Sequence, residues 1–500
     1  MTAQSHPAAS AAWTAGSPAE TPGLPALWDP LVREFLAERE LLDQVVERFA
    51  TPVHLIFPQV FERNLGRLTG VLDASGVPYR ICYAHKVNRS AAFVRTAAAR
   101  GISVDVASPG ELESARRAGF GPERIEVTGP KGERFLRELV GTGVTVSIDN
   151  QWELETLARL AAPAAPVPVL LRISGFPGSQ VSRFGIPVDQ VEHAFAVLAG
   201  HRDRLIFRGP AFHLDTGDIA ERIRAAETCF ALLERAYDRD LLPAVLNIGG
   251  GLRQVFTADA GRFDDYVHRL REGLAGRGPR MSWGTNTFGY QVDGAAVRGI
   301  PVFHKYANTV AAETMLAELL AAPLDGHGGR GLARVAADNL LELWLEPGKA
   351  LTDHAGITLA RVEFVKTAAD GSVLVHLDLS RDTVTPADQE VMADPLLLAG
   401  SLPAPPDDPV PVFLAGRLCL ERDLVAAHTV WLPWRPRPGD LIVFPNTAGY
   451  HMDLSAAPAA MHTPAQKVAI DVRDGRFRAT PDAGYRPATP DTGSASPEVP

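Results

Sequence analysis

The stretch Tyr79-Arg80-Ile81-Cys82-Tyr83-Ala84-His85-Lys86-Val87-Asn88 decides how the chain is read. Residues 79–84 are largely apolar and short enough for one buried strand, and a lysine follows directly after its end. Similar short apolar runs recur downstream at residues 103–106, 124–128, 144–148, 167–173, 207–213, 244–248 and 341–345. Amphipathic stretches such as 110–118, 152–160 and 220–236 lie between most of them. Eight alternating β/α units predict an α/β fold, a (β/α)8 TIM barrel, which usually takes about 250 residues plus insertions. Residues 264–334 are too many for one unit and are expected to hold an insertion. Residues 31–45 carry Phe35, Leu36, Leu41, Leu42 and Val45 at helical spacing, a lead-in before the barrel.

Beyond Leu351 the pattern changes. Residues 356–366, 373–379, 410–414, 440–444 and 466–471 are β-rich and separated by Pro/Gly turns, with no long helix between them. The expected organisation is a disordered tail at 1–27, a barrel with its lead-in at 28–351, an all-β domain at 352–480 and a second tail at 481–500. Both tails offer few apolar residues to bury.

Composition narrows the function classes. Apolar residues make up 46% of the 500 and charged residues 22%, an ordinary globular balance. The net charge of −10, with the basic residues scattered, argues against nucleic acid as the main partner. Three cysteines, Cys82, Cys229 and Cys419, form neither a disulfide framework nor a zinc pattern. No apolar run reaches the roughly 20 residues of a membrane span, and the N-terminus lacks the features of a signal peptide. The expectation is a soluble, cytoplasmic protein. Only six of the 49 basic residues are lysine, so each lysine merits inspection.

In a barrel of this kind, reactive groups belong at the C-terminal ends of the strands. Lys86 sits at such an end, where a dry site would let its amine attack a carbonyl. On its own, a lysine there is most often a surface residue. Three further strand ends change the odds. Asn247-Ile248-Gly249-Gly250-Gly251 can turn several backbone N–H groups towards an anion. Phe212-His213-Leu214-Asp215-Thr216-Gly217 supplies a flat imidazole, and Leu345-Glu346-Pro347-Gly348-Lys349 a carboxylate beside a cation. Singly these read as a tight turn, a structural histidine and a surface ion pair. Together, an amine for an imine, amides for a phosphate, a ring to stack and an anion for a ring nitrogen suit pyridoxal 5'-phosphate. An anionic partner keeps the pyridine nitrogen protonated and favours α-decarboxylation.

These segments, with Asp105-Val106-Ala107-Ser108-Pro109-Gly110-Glu111-Leu112 and Ser182-Arg183-Phe184-Gly185, resemble the fold-type III pyridoxal-phosphate decarboxylases. That family includes the diaminopimelate, ornithine and arginine-type enzymes on an alanine racemase-like barrel, and the likeness runs from about residue 41 to 471. It implies that Lys86 forms the internal aldimine, on a path through a quinonoid, with Asp105 near the ring and the lysine. It implies that His213 stacks on the ring, Thr216 and Gly249, Gly250 and Gly251 bind the phosphate, and Glu346 meets the pyridine nitrogen. Lys349 stands where an arginine usually contacts phosphate. Gly416-Arg417-Leu418-Cys419 matches the segment whose cysteine reaches the partner subunit's site, implying a homodimer with shared active sites, and Ala448-Gly449-Tyr450 makes Tyr450 a phosphate or substrate contact.

Two departures bear on substrate. Leu420 replaces the acidic residue that recognises a distal amine, with Glu421 and Asp423 out of register. Residues 378–394 carry Ser380-Arg381-Asp382 rather than the Arg-Pro-x-Leu-Tyr segment of the diaminopimelate enzymes. A specialised biosynthetic amino acid is therefore expected. Diaminopimelate decarboxylation, racemisation on the same barrel and a non-catalytic relative that binds the cofactor are the alternatives.

Overall fold

The computed structural model describes residues 23–257, 259–385, 392–455 and 458–488. The described residues fall into two compact units, one within 61–253, 311–351 and 482–488, the other within 23–60, 254–310 and 352–481.

The first unit is the expected barrel. Its parallel strands are β1 (Tyr79–Ala84), β2 (Ser103–Val106), β3 (Ile125–Val127), β4 (Thr145–Ile148), β5 (Val167–Ser174), β6 (Leu205–Ala211), β7 (Val245–Asn247) and β8 (Glu342–Leu345). Each pairs with the next, and β8 pairs with β1 to close the ring. Short buried runs with helices between them leave the backbone this route, because closure pairs every strand on both sides. Helix starts follow local chemistry. In the helix Pro109–Arg117, Ser108 accepts from the Glu111 N–H at 3.2 Å while Glu111 reaches back to the Ala107 N–H at 2.8 Å. This reciprocal arrangement satisfies two otherwise orphaned donors. Inside the barrel, Cys82, Leu170, Ala211, Val245 and Trp344 pack as one cluster.

The second unit centres on the long strand Gly356–Thr367. It pairs antiparallel with Val53–Ile56, Leu441–Phe444 and Val373–Leu377, and a register shift at residues 362–364 bends it between partners. Val53–Ile56 also pairs, in parallel, with Gln466–Arg473. The strands enclose a core that includes Val375, Leu377, Val412, Leu414, Val430 and Ile442.

Several boundaries differ from the expectation. Residues 28–60 and 254–310 group with the β-rich unit rather than with the barrel, because Val53–Ile56 is a strand of its sheet and Phe263, Tyr266 and Phe303 pack in a cluster of that unit. The proposed tail at 1–27 ends earlier, since Leu24 is wholly buried, its N–H donating to the Asp394 carboxylate at 2.6 Å and its carbonyl accepting from the Asp394 N–H. Residues 481–488 are no tail either. The Asp482 carboxylate accepts from Ser90 Oγ and from the Ala91 and Ala92 N–H groups, capping the helix Ala91–Ala99 of the barrel unit. Residues 1–22 and 489–500, the rest of both tails, lie outside the described residues, as does 386–391 within the segment 378–394.

Candidate active site

Lys86 lies in a short 3-10 turn directly after β1 and extends Nζ to 2.9 Å from Asp105 Oδ2. Asp105 is fully buried on β2, and Thr128 Oγ1 donates to its other oxygen at 2.5 Å. Burial pushes the Asp105 carboxyl up, while Lys86 and the Thr128 hydroxyl pull against that rise.

Glu346 ends β8. Burial again favours its neutral form, but the His213 imidazole and the positive charges of Lys86 and Arg172 prevail and bring it down to about 2. It is therefore an anion at neutral pH. His213, after β6, holds Nδ1 at 3.7 Å from Glu346 Oε2 and accepts a hydrogen bond from the Gly250 N–H at 3.2 Å.

The Gly249–Gly251 turn follows β7. An added Cβ would stand 2.3 Å from the Phe212 carbonyl at Gly249, 2.3 Å from the Glu346 carbonyl at Gly250 and 2.2 Å from the Leu214 carbonyl at Gly251. Glycine is required because three strand ends converge on this turn, and Gly249 and Gly251 also adopt positive φ. Two residues passed over in the sequence hold it. Asn247 Oδ1 accepts from the Gly249 N–H at 2.8 Å. Arg222, buried on the helix Ile219–Tyr237, donates to the carbonyls of Leu214 at 2.6 Å, Gly250 at 3.0 Å and Thr216 at 3.2 Å. Asn247 and His213 thus take the Gly249 and Gly250 N–H groups while Arg222 holds the carbonyls from behind, which fixes the shape of the turn. Arginine inside an amphipathic helix reads as solvent-facing, so sequence offers no signal for this role. Lys349 pairs with Asp215 at 3.0 Å, and Thr216 Oγ1 accepts from the Asp218 N–H. The barrel thus assembles Lys86, Asp105, His213, Thr216, Gly249–Gly251, Glu346 and Lys349 around the C-terminal ends of its strands.

Cys419 and Tyr450 belong to the other unit. Cys419 is exposed on a turn braced by Asp423, whose carboxylate accepts from the Arg381 and Leu418 N–H groups at 2.7 Å each. Asp423 is therefore committed to the turn and does not replace the missing acid. Leu420 is exposed, and with Arg381, Asp382, Leu418 and Arg422 it borders a surface pocket. Tyr450 adopts φ +72°, a strained backbone for an aromatic residue and a frequent mark of functional positions.

Comparison with known proteins gives this arrangement its class. The family model for the pyridoxal-binding domain of pyridoxal-dependent decarboxylases matches residues 61–282. An uncharacterised protein, y4yA, of Sinorhizobium fredii is 32% identical over 92% of this chain and 97% of its own length. The diaminopimelate decarboxylase of Mycobacterium bovis is 28% identical over 87% of this chain and 90% of its own. Among solved structures, the diaminopimelate decarboxylase of M. jannaschii with L-lysine superposes with a TM-score of 0.65 at 17% identity, covering 87% of this chain and 90% of that one. The chain belongs to the fold-type III pyridoxal-phosphate-dependent amino-acid decarboxylases, and its cofactor is pyridoxal 5'-phosphate. The residues present fit that group: a strand-end amine, a turn too tight for any Cβ and a buried anion beside an imidazole. No helix among the described residues is long and apolar enough to cross a membrane.

Proposed function

We propose that the protein removes the α-carboxylate of a specialised biosynthetic amino acid, neither diaminopimelate nor a simple diamino acid, at the barrel site around Lys86. The observation that carries this reading is Glu346, a buried carboxylate kept ionised beside His213 and the glycine turn. Pyridoxal phosphate, when bound, supplies an electron sink for the pair left on the α-carbon as carbon dioxide departs. Lys86 would hold the cofactor through its amine, which Asp105 orients by the hydrogen bond it accepts from Nζ. Glu346 holds a proton on the pyridine nitrogen, as an anion in a dry site does for an adjacent base. His213 would hold the cofactor ring, and the Gly249–Gly251 turn, with Thr216 and Lys349, would hold its phosphate, the Gly249 and Gly250 N–H groups turning to it from Asn247 and His213. Asn247 and Arg222 position that turn.

The substrate part of the proposal rests on the Cys419 turn. Leu420 offers no anion, and Asp423 has spent its oxygens on backbone N–H groups. Arg381 and Arg422 line the same pocket and balance Asp382 and Asp423, so it holds no net negative charge to attract a cationic distal group. In this reading the protein is a cytoplasmic homodimer, each barrel site completed by Cys419 and Tyr450 of the second copy, with the Cys419 thiol moving a proton to the α-carbon. Free cysteines suit a reducing compartment.

An amino-acid panel tests the reaction and the substrate together, with carbon dioxide, amine and enantiomer measured for each candidate. The expected result is carbon dioxide and amine in equal amounts from one amino acid, with no inversion of the remaining substrate. Inversion without carbon dioxide overturns the reaction, and diaminopimelate as the best substrate overturns the substrate class.

A further inference from the structure

Glu126 is a charge-bearing residue in the middle of β3, flanked by Ile125 and Val127, and it is 1% exposed. Strands β3 and β7 face each other across the eight-stranded ring, and the Glu126 side chain meets Asn247 of β7 inside it. Asn247 Nδ2 lies 3.0 Å and 3.2 Å from the two Glu126 oxygens and 2.9 Å from Glu346 Oε1. The orientation of that amide is fixed, because its oxygen accepts from the Gly249 N–H. One amide group therefore ties together the start of the glycine turn, the Glu346 carboxylate and Glu126.

We propose that Glu126 is a further positioning residue for the decarboxylation: a buried, un-ionised carboxylic acid that holds the Asn247 amide and, through it, the Glu346 carboxylate. The inference rests on the reading of Glu346 as the partner of the ring nitrogen. The charges around Glu126 explain why it keeps its proton. Asp105 is its register partner on β2, Glu346 shares its amide donor, and Cys82 of β1 lies alongside as a neutral thiol. Lys86, already paired with Asp105, is a cation whose field reaches Glu126, and Arg80 acts on the neighbouring Cys82. Burial, Glu346 and Asp105 all push the Glu126 carboxyl well above the usual carboxylate range. A second anion on the same amide would raise the proton affinity of Glu346 and deprive the ring nitrogen of its charged partner. As a neutral acid, Glu126 satisfies the second Asn247 N–H without adding charge. Glutamine can do the same, whereas leucine leaves that N–H without a partner in a dry interior.

Infrared difference spectroscopy on the holoenzyme reads the protonation state directly. Wild type minus Glu126→Gln at neutral pH is expected to show the carbonyl stretch of an un-ionised carboxylic acid. Absence of that band overturns the proposal. Glu126→Leu is expected to lower kcat roughly tenfold, the usual order for removing a group that orients a functional side chain. KM and bound cofactor should stay close to wild type, the absorbance titration of the bound cofactor should shift, and Glu126→Gln should restore most of the lost rate. Wild-type kcat and an unshifted titration in Glu126→Leu overturn the positioning role. Should that variant fail to fold, Glu126→Gln decides alone, since a shifted titration there would reveal a lost charge rather than a neutral acid. Failure of the underlying reading is distinct: Glu346→Gln would then turn over like wild type while the infrared band remained.

Discussion

The two units carry their polar residues in opposite ways. In the barrel, Asp105, Glu126 and Glu346 sit within a ring of buried strands, and each oxygen's state is set by a named neighbour: Lys86, Thr128, Asn247 or His213. In the β-rich unit, Cys419 and Leu420 stand exposed on a turn whose carboxylate, Asp423, serves only the backbone. The difference separates two jobs. Buried charges under mutual tension suit chemistry on a cofactor, since a low-dielectric site makes each charge count. An exposed turn with a rigid base suits selection among substrates or partners, because its side chains can change without disturbing the fold.

If that division is right, the largest effect belongs to the barrel. Glu346→Gln is isosteric and removes the anion, so kcat should fall by about two to three orders of magnitude. Cofactor content, measured by absorbance after dialysis, should persist through the phosphate contacts. Unchanged turnover would reduce Glu346 to a strand-end ion-pair residue and erase the contrast between the units.

A smaller effect sharpens the other side. Lys86→Ala and Cys419→Ala proteins, each inactive or severely impaired, should complement when mixed and allowed to exchange subunits. An equal mixture should regain up to about a quarter of wild-type activity, as expected when two-fold symmetry makes two equivalent composite sites. Proven exchange without recovery would mean that each subunit's site is complete in itself.

The smallest effect lies in the β-rich unit. Burial raises the Asp394 carboxyl to about 7, although its hydrogen bond from Leu24 opposes the rise. The folded form thus holds this proton more tightly than the unfolded chain. The associated stability is complete below the ordinary carboxylate range and is lost as pH rises towards about 7. Asp394→Asn keeps an oxygen for the Leu24 N–H, so it should flatten the dependence of Tm on pH between those limits. An unaltered profile would show that Asp394 does not titrate there.

Local pattern explains what the sequence revealed and what it hid. All eight barrel strands were legible because each is a short, almost wholly buried run ending in turn residues, and Lys86, His213, Gly249–Gly251 and Glu346 stood out as candidates because they follow those ends, whereas Asp105, Thr216 and Lys349 came only with the family resemblance. Val53–Ile56 escaped notice since its role depends on pairing with strands about 300 and 400 residues away. Asp482 lay in a stretch that reads as a tail, yet it caps a helix some 390 residues earlier. Arg222 and Asn247 were hidden for a similar reason, as Arg222 serves backbone carbonyls of other loops and Asn247 the carboxyl groups of other strands. Glu126 did leave a signal, an acidic residue in the middle of a three-residue buried strand. In a barrel, such a residue with apolar neighbours on both sides has to face the interior.

The account stands or falls on which amine carries the cofactor. Borohydride reduction of the holoenzyme followed by peptide mapping reads this without any knowledge of the substrate. The expected label is a reduced pyridoxyl group on Lys86 alone, lost in Lys86→Ala. A label on Lys131, which is buried against Glu153, on Lys305, or on any other lysine would contradict the assignment and every role derived from it.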